Sequence, residues 1–290
     1  MKLNKLIAIA TISLLSGGIS MAQKALNLED IVAGNIIQTK GIGSMTWLKD
    51  GERYSRLENN KQTGGTDIVA YRAKDNSREV IIPSSLLTDK STGRPIPVRS
   101  VSWSADNEKI LIYNNTRRVW RYDTRGDYWV LNLKDGALRQ LGKGMPESSM
   151  MFAKFSPDGT RVAYVSNNNI YVEDIDSGKI TQLTKDGSDT IVNGTFDWVY
   201  EEEFSCRDGF RWSPDGKHIA YWQSDTKGTG VFDIINNVDS IYAKVIHFPY
   251  PTFPLPAGTP LGSPYPEIPG TTTCPVWNSS PKATSCSYSN

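Results

Sequence analysis

Histidine and cysteine are scarce: the chain of 290 residues holds two of the first and three of the second. His218 and His247 stand alone in strand-like or loop surroundings, where a surface or packing role is the simpler expectation. Cys206, Cys274 and Cys286 match no zinc spacing, so neither a metal centre nor any other cofactor is expected. An oxidising compartment would permit a disulfide without specifying which pair, and unpaired thiols are the plainer reading. Excess charge is absent too. Lys and Arg total 32 against 31 acidic residues, a formal net charge of +1. That balance leaves no electrostatic footprint for nucleic acid. Long apolar runs are missing as well. LIAIATISLL, near the N-terminus, is too short to span a bilayer as a helix.

That short run has a different meaning in context. Lys2 and Lys5 precede it, and the small residues Ser20 and Ala22 follow it. A basic region, an apolar stretch and a small-residue cleavage site form an export signal. Residues 1–22 are therefore read as a signal peptide cleaved after Ala22, with a buried N-terminal helix as the rival reading. The mature chain is expected to be periplasmic or secreted, with no membrane attachment after cleavage.

One motif recurs. It reads WSADNEKILIY from Trp103, FSPDGTRVAYV from Phe155, WSPDGKHIAYW from Trp212 and, more weakly, WLKDGERYSRL from Trp47. The spacing of roughly 55 residues falls in the range of propeller blades. Each copy closes a strand with an aromatic residue, turns at Asp-Gly or Asp-Asn, where Gly and Asn tolerate positive φ, and enters an alternating apolar strand. DYWVLNL from Asp127 and NIYVEDI from Asn169 add further strands, each followed by a turn and another short strand. LNLEDIVAG reads as a short helix ahead of the repeats, capped by Asn27 and stopped by Gly34. The first copy looks strand-poor after Arg53. Three blades are convincing, a fourth is partial, and no closing partner is visible. The fold expected is all-β: an incomplete β-propeller of four-stranded blades after a signal peptide, with an irregular C-terminal tail.

The stretch FDWVYEEEF, Phe196 to Phe204, places three adjacent carboxylates inside an aromatic frame. Taken alone, an acidic solvated turn and a cation-binding site explain it about equally well. Together with the SPDG strands and with RRVWRYDTRGDYWVLNL, NNNIYVEDI, DGFRWSPDGKHIAYWQSD and IHFPYP, it resembles the dipeptidyl peptidase IV family of serine peptidases, over Leu26 to Pro251. The resemblance implies a propeller joined, in full-length members, to an α/β-hydrolase domain. It implies removal of dipeptides from peptide N-termini, with proline or alanine preferred at the second position. It also implies that Glu202 and Glu203 hold the substrate's α-ammonium, that Trp198 and Tyr200 wall them, and that Arg121 touches a substrate carbonyl. Peptide N-termini are then the partners, and relatives often form homodimers. A surface arginine remains the rival reading of Arg121, since Arg117, Arg118 and Arg125 crowd nearby. Two carboxylates suit an ammonium, because each offers a charge-assisted hydrogen bond. Adjacent helical residues point about 100° apart, so convergence of Glu202 and Glu203 calls for a bent or loop-like backbone.

No G-x-S-x-G turn occurs, no histidine stands in a triad context, and no alternation of strands and helices could build a hydrolase domain. No catalytic residue is assigned, and no peptidase turnover is expected from these residues alone. The alternative function is an exported, non-catalytic propeller that binds peptides or envelope proteins. Residues 252–290 are rich in Pro, Ser and Thr and nearly uncharged. A flexible linker would fit; a frame-shifted translation fits better. With each new codon built from the last base of one codon and the first two of the next, Trp277-Asn278 must yield Glu. With permitted wobble bases, the stretch can then read PGDP leading to RMEF, as the same family continues. Sequencing the coding DNA is expected to show codons for those residues in the shifted frame; codons that cannot supply them refute the reading.

Overall fold

The computed structural model describes residues 43–227 and 229–250, together with residues 27, 28 and 32 and the backbone of 284–287. The expected signal peptide lies outside the described residues, as does nearly all of the tail. Of the expected N-terminal helix, Leu28 and Val32 are helical and most of the remainder lies outside the described residues.

The first repeat forms an antiparallel sheet of β1 (Thr46–Trp47), β2 (Arg53–Asn59), β3 (Thr66–Arg72) and β4 (Arg78–Ile82). A small hairpin, β5 (Thr88–Asp89) and β6 (Arg94–Pro95), follows a one-turn helix at Ser84–Leu87. The second sheet contains β7 (Ser100–Trp103), β8 (Lys109–Arg118), β9 (Asp123–Asn132) and β10 (Leu138–Gln140). The third contains β11 (Met151–Phe155), β12 (Arg161–Ser166), β13 (Asn169–Asp174) and β14 (Ile180–Gln182). Beyond it come β15 (Ile191–Asn193), the helix α1 (Trp198–Phe204), β16 (Phe210–Trp212), β17 (His218–Tyr221), β18 (Gln223–Asp225), β19 (Val231–Asn236) and β20 (Lys244–Pro249).

Period-two alternation explains how the sheets stack. In β8, Ile110 and Ile112 join Ile68, Ile82 and Leu87 of the first sheet region in one core, while Leu111 points the other way. Leu111, Tyr128 and Val130 meet Val162 and Tyr164 of the third sheet. Ala163, Val165, Ile170 and Val172 then meet Phe210, Ile219 and Tyr221. Successive side chains on a strand face opposite sides, so each central strand of the second and third sheets serves two cores. Full burial of such a side chain contributes about 1.5–3 kcal/mol, and the second and third sheets therefore depend on neighbours at both faces.

The recurring Ser-x-Asp-Gly/Asn turn has the same wiring each time. Ser156 Oγ donates to Asp158 Oδ1 at 2.5 Å and accepts from Arg161 N at 3.0 Å, while Asp158 Oδ1 accepts from Thr160 N at 3.0 Å. Ser104 with Asp106, and Ser213 with Asp215, repeat the pattern. Asn107, Gly159 and Gly216 hold φ near +60 to +70°, as the sequence reading expects: 61°, 68° and 68°. Where Leu48 replaces the serine, Asp50 takes both amides, Glu52 N and Arg53 N, at 3.0 Å.

Three expectations need correction. The Trp47 copy is a complete sheet rather than a strand-poor one. Charged residues interrupt the apolar alternation on both of its faces: Glu58 pairs with Arg78 at 2.8 Å on the face away from the second sheet, and Arg53 pairs with Glu79 at 3.1 Å on the face that carries Ile68 and Ile82. Conversely, the Trp212 copy is the short one. β16 pairs with β17, but β18 leaves to pair with β15, and β19–β20 forms a separate hairpin. The tail is not wholly irregular either: β21 (Thr284–Ser287) pairs antiparallel with β17. An open strand edge offers unpaired backbone groups to any extended segment.

Burial pushes the Asp158 carboxyl up, but the Ser156 hydroxyl, the Thr160 amide and hydroxyl, and Arg161 outweigh it and hold the group at about 2. Asp106 and Asp215 are lowered as well, first by their serine hydroxyls. A carboxyl with a depressed folded-state pKa stabilises the fold fully above its unfolded value of about 4 and loses that contribution as pH falls further. Urea unfolding of the chain is therefore expected to weaken between about pH 4 and 2, and Asp158→Asn to flatten that decline. Asp158→Ala is expected to cost about 1 kcal/mol at neutral pH; an unchanged midpoint refutes the role given to the turn.

Candidate functional site

Two excursions from the sheets meet. The first is the tip of β8–β9. Each strand has ten residues, longer than in neighbouring hairpins, and the ladder is irregular beyond Asn114, where Asn115 takes φ 43°. The extension carries the loop Val119–Tyr122, with Trp120 and Arg121, beyond the regular ladder.

The second excursion is α1, between β15 and β16. Its stem is closed by Gly209 N to Gly194 O at 3.1 Å, Phe196 N to Arg207 O at 3.1 Å, and a bridge between Thr195 and Asp208. The stem tolerates only glycine at two points. A Cβ on Gly209 would meet the backbone of Gly194 and Thr195 at 3.0 Å, and Gly194 has φ 71° with Ile170 at 2.8 Å from its would-be Cβ. Asp197 caps the helix by accepting from Tyr200 N at 3.2 Å. Burial pushes the Asp197 carboxyl up, with the Tyr200 and Val199 amides opposing. Ser205, left-handed at φ 52°, ends the helix and returns its amide to Glu201 O.

The three glutamates have three different environments. Glu201 is buried, its side chain 1% exposed. Its Oε1 accepts from Arg121 N at 3.0 Å, across 80 residues of sequence, and its Oε2 lies 3.1 Å from Arg207 Nε. The second contact is electrostatic rather than a directed hydrogen bond, since neither atom has an aligned partner. Arg207 also donates to Phe196 O. Glu202 is half-buried and forms a two-point pair with the Arg121 guanidinium, through Nε and Nη2. Arg121 holds the Glu202 carboxyl below the usual range, so it is ionised at neutral pH. Glu203 is exposed and has no hydrogen bond or ion pair among the described residues.

Of the residues singled out from sequence, the structure brings Arg121 and Glu202 together and leaves Glu203 beside them on the solvent side. The backbone is a regular helix turn, not the bent loop that convergence of the two carboxylates called for. Adjacent side chains on it diverge by about 100°. Trp198 packs on Phe248 and Tyr250, with ring centroids 4.9 and 5.4 Å apart, and Tyr200 stacks on Phe196 at 5.0 Å. Trp120 reaches the same Phe248 at 5.4 Å. Both excursions thus lean on one ring of β20. Sequence reasoning missed Glu201 as a tie, together with Arg207 and Phe248; no local pattern marks a residue whose partner is dozens of positions away. His218 and His247 are exposed, beside Asp215 at 3.9 Å and Asp233 at 2.6 Å. Cys206 is a half-buried free thiol, raised by burial and then by Asp208; the side chains of Cys274 and Cys286 lie outside the described residues.

Comparison with known proteins gives a consistent picture. Residues 104–258 match the family model of the dipeptidyl peptidase IV (DPP IV) N-terminal region. Dipeptidyl aminopeptidase B of Saccharomyces cerevisiae is 30% identical over 253 residues, covering 82% of this chain and 28% of that protein. A probable dipeptidyl-aminopeptidase B of Podospora anserina is 36% identical over 132 residues, 45% of this chain and 14% of the relative. The crystal structure of Porphyromonas gingivalis dipeptidyl peptidase 4 superimposes with a TM-score of 0.66 at 25% identity, covering 79% of this chain and 32% of that one. The chain spans less than a third of the length of each of these relatives.

The contrast within the acidic run is open to a direct check. Glu201→Ala removes one partner from a buried charge pair and is expected to destabilise the chain by about 3–5 kcal/mol. Glu203→Ala alters an exposed, unpartnered side chain and is expected to stay within about 0.5 kcal/mol. Urea unfolding of the two variants side by side reads this; similar losses for both would refute the division of roles.

Proposed function

Since this chain belongs to the dipeptidyl peptidase IV family, whose N-terminal region it matches, we propose that it forms the part of an exported peptidase-type protein that recognises the free N-terminus of a peptide. The observation that carries the reading is the Arg121–Glu202 pair with Glu203 at its side. The propeller in which it sits is read as incomplete, as the short Trp212 sheet suggests.

The chemistry is that of an ammonium. It carries one positive charge and three N–H donors, and two ionised carboxylates offer it charge-assisted bonds. Glu202, held below the usual carboxylate range by Arg121, is one acceptor; Glu203, about 100° round the helix and with no partner among the described residues, is the second when its long, exposed side chain swings toward the same ammonium. The Arg121 guanidinium keeps donors to spare beyond the two it gives Glu202, and these suit the carbonyl of the peptide's first residue. A peptide fixed by its terminus can present only its second peptide bond at a set distance, and that is the geometric basis for releasing dipeptides. The 290 residues contain no G-x-S-x-G turn, so recognition is the role assigned to them, and bond cleavage is assigned to groups other than these.

Isothermal titration with a short Ala-Pro peptide, free and N-acetylated, tests the reading. Removing a charged hydrogen-bonding group costs about 1.5–3 kcal/mol, so the free peptide is expected to bind about tenfold more tightly or better. The advantage should fade above about pH 8, as the α-amine loses its proton. Equal binding of the free and capped peptides refutes it.

A further inference from the structure

On the face of the second sheet that packs against the first, the apolar alternation of β8 breaks. Ile110 and Ile112 enter the shared core, and Asn114 takes the next position on that face. Across from them on β9, Trp129 is paired with Ile112 and Asp127 with Asn114. Asn114, Asp127 and Trp129, with Arg99, Gln140 and Glu147, line a cavity of about 610 Å³. That volume lies well within the range of small-ligand sites. Neither Arg121 nor the acidic run on α1 takes part in its walls.

Asn114 is 7% exposed, and its Oδ1 has no hydrogen-bond partner. Buried polar atoms are nearly always satisfied, so an orphan in a cavity wall points to a partner from outside the chain. The amide can turn either end toward a guest.

The acids beside it indicate the kind of guest. Asp127, 8% exposed, accepts from Ser148 N at 2.8 Å and from Asn115 Nδ2 at 2.7 Å. Glu147 accepts from the same Nδ2 at 2.8 Å. Two carboxylates thus converge on one neutral amide, and no ion pair reaches either of them among the described residues. Arg99, at the rim, is engaged by Asp123 at 3.2 Å instead. Burying a charge without a counter-charge is costly, and a second acid alongside adds repulsion. A cation entering the cavity relieves both. Trp129 supplies a ring on which a flat cation can stack. A guanidinium suits this set, because its planar fork of five N–H donors can serve both carboxylates and an amide oxygen while it stacks. A hard metal ion suits it less. Such ions ask for six or more oxygen ligands, and no third His, Cys, Asp or Glu joins the two acids among the described residues.

We propose that this cavity binds a guanidinium group, carried either on an arginine side chain of a peptide or on a small free base. The site is separate from the candidate amine site and stands on its own residues.

Isothermal titration of the full chain with Nα-acetyl-arginine amide and its neutral isostere, Nα-acetyl-citrulline amide, reads the charge requirement. The capped α-nitrogen gives the amine site nothing to hold, and a parallel run in excess Ala-Pro peptide checks for competition. The arginine compound is expected to bind about tenfold more tightly than the citrulline one, with or without Ala-Pro. Glu147 is exposed, so Glu147→Gln should fold, and it is expected to cut that ratio to about threefold or less. Methylguanidine separates the two sources: binding as tight as that of the capped arginine assigns the cavity to a free base, and weaker binding assigns it to a peptide side chain. Equal affinities for the arginine and citrulline compounds, a ratio indifferent to Glu147→Gln, or displacement of the arginine compound by Ala-Pro overturns the inference.

Discussion

A single buried carboxylate, Glu201, holds the candidate site together. Burying a charge costs several kcal/mol unless it is paired and hydrogen-bonded. Glu201 meets that demand from two directions, with the Arg121 amide on one oxygen and Arg207 on the other. Because one partner lies 80 residues away and the other on the stem after α1, the compensation is complete only when the tip of β8–β9 and that stem are both in place. The side chains that face solvent, Arg121, Glu202 and Glu203, are thereby positioned by a residue that itself touches nothing outside the protein.

The aromatic residues complete that frame from the other side. Trp120 and Trp198 flank the acidic run, and both pack on Phe248, which is 5% exposed. Phe248 belongs to the β19–β20 hairpin, and elsewhere that hairpin displays much apolar surface: Val231, Ile235 and Val245 on its strands, Val238, Ile241 and Tyr242 in its turn. Its inner ring is anchored at the site while its outer face is bare. The hairpin's orientation and the placing of Arg121 are consequently linked through one set of ring contacts.

Under the site, the sheets depend on one another in sequence. Each central strand of the second and third sheets feeds two cores, and each Ser-x-Asp turn fixes a hairpin by a few short hydrogen bonds. The arrangement is regular through the third sheet. It changes where the chain departs for α1 and where β18 turns back to β15, which is also where the chain gathers its acidic run. Regular stacking supplies the platform, and the departure from it supplies the site.

What the sequence determined by itself was local in its physics. Period-two alternation, Asp-Gly and Asp-Asn turns and the spacing of the repeats are encoded within a dozen residues, and the β-sheets built on Trp103 and Phe155 follow directly. The acidic run was visible as a stretch that suits a cation, while the ammonium and the carbonyl contact of Arg121 came from the family resemblance. The first sheet was obscured because cross-strand ion pairs on both faces put charged residues among its strand positions. Tertiary structure alone decided that the three glutamates diverge, one inward to Arg121 N and Arg207, one to the Arg121 side chain and one to solvent. It also placed Phe248 between two tryptophans and gathered Asn114, Asp127 and Glu147 around one cavity. These outcomes depend on partners as far as 81 positions apart, and a short-range pattern carries no record of which distant group will neutralise a buried charge.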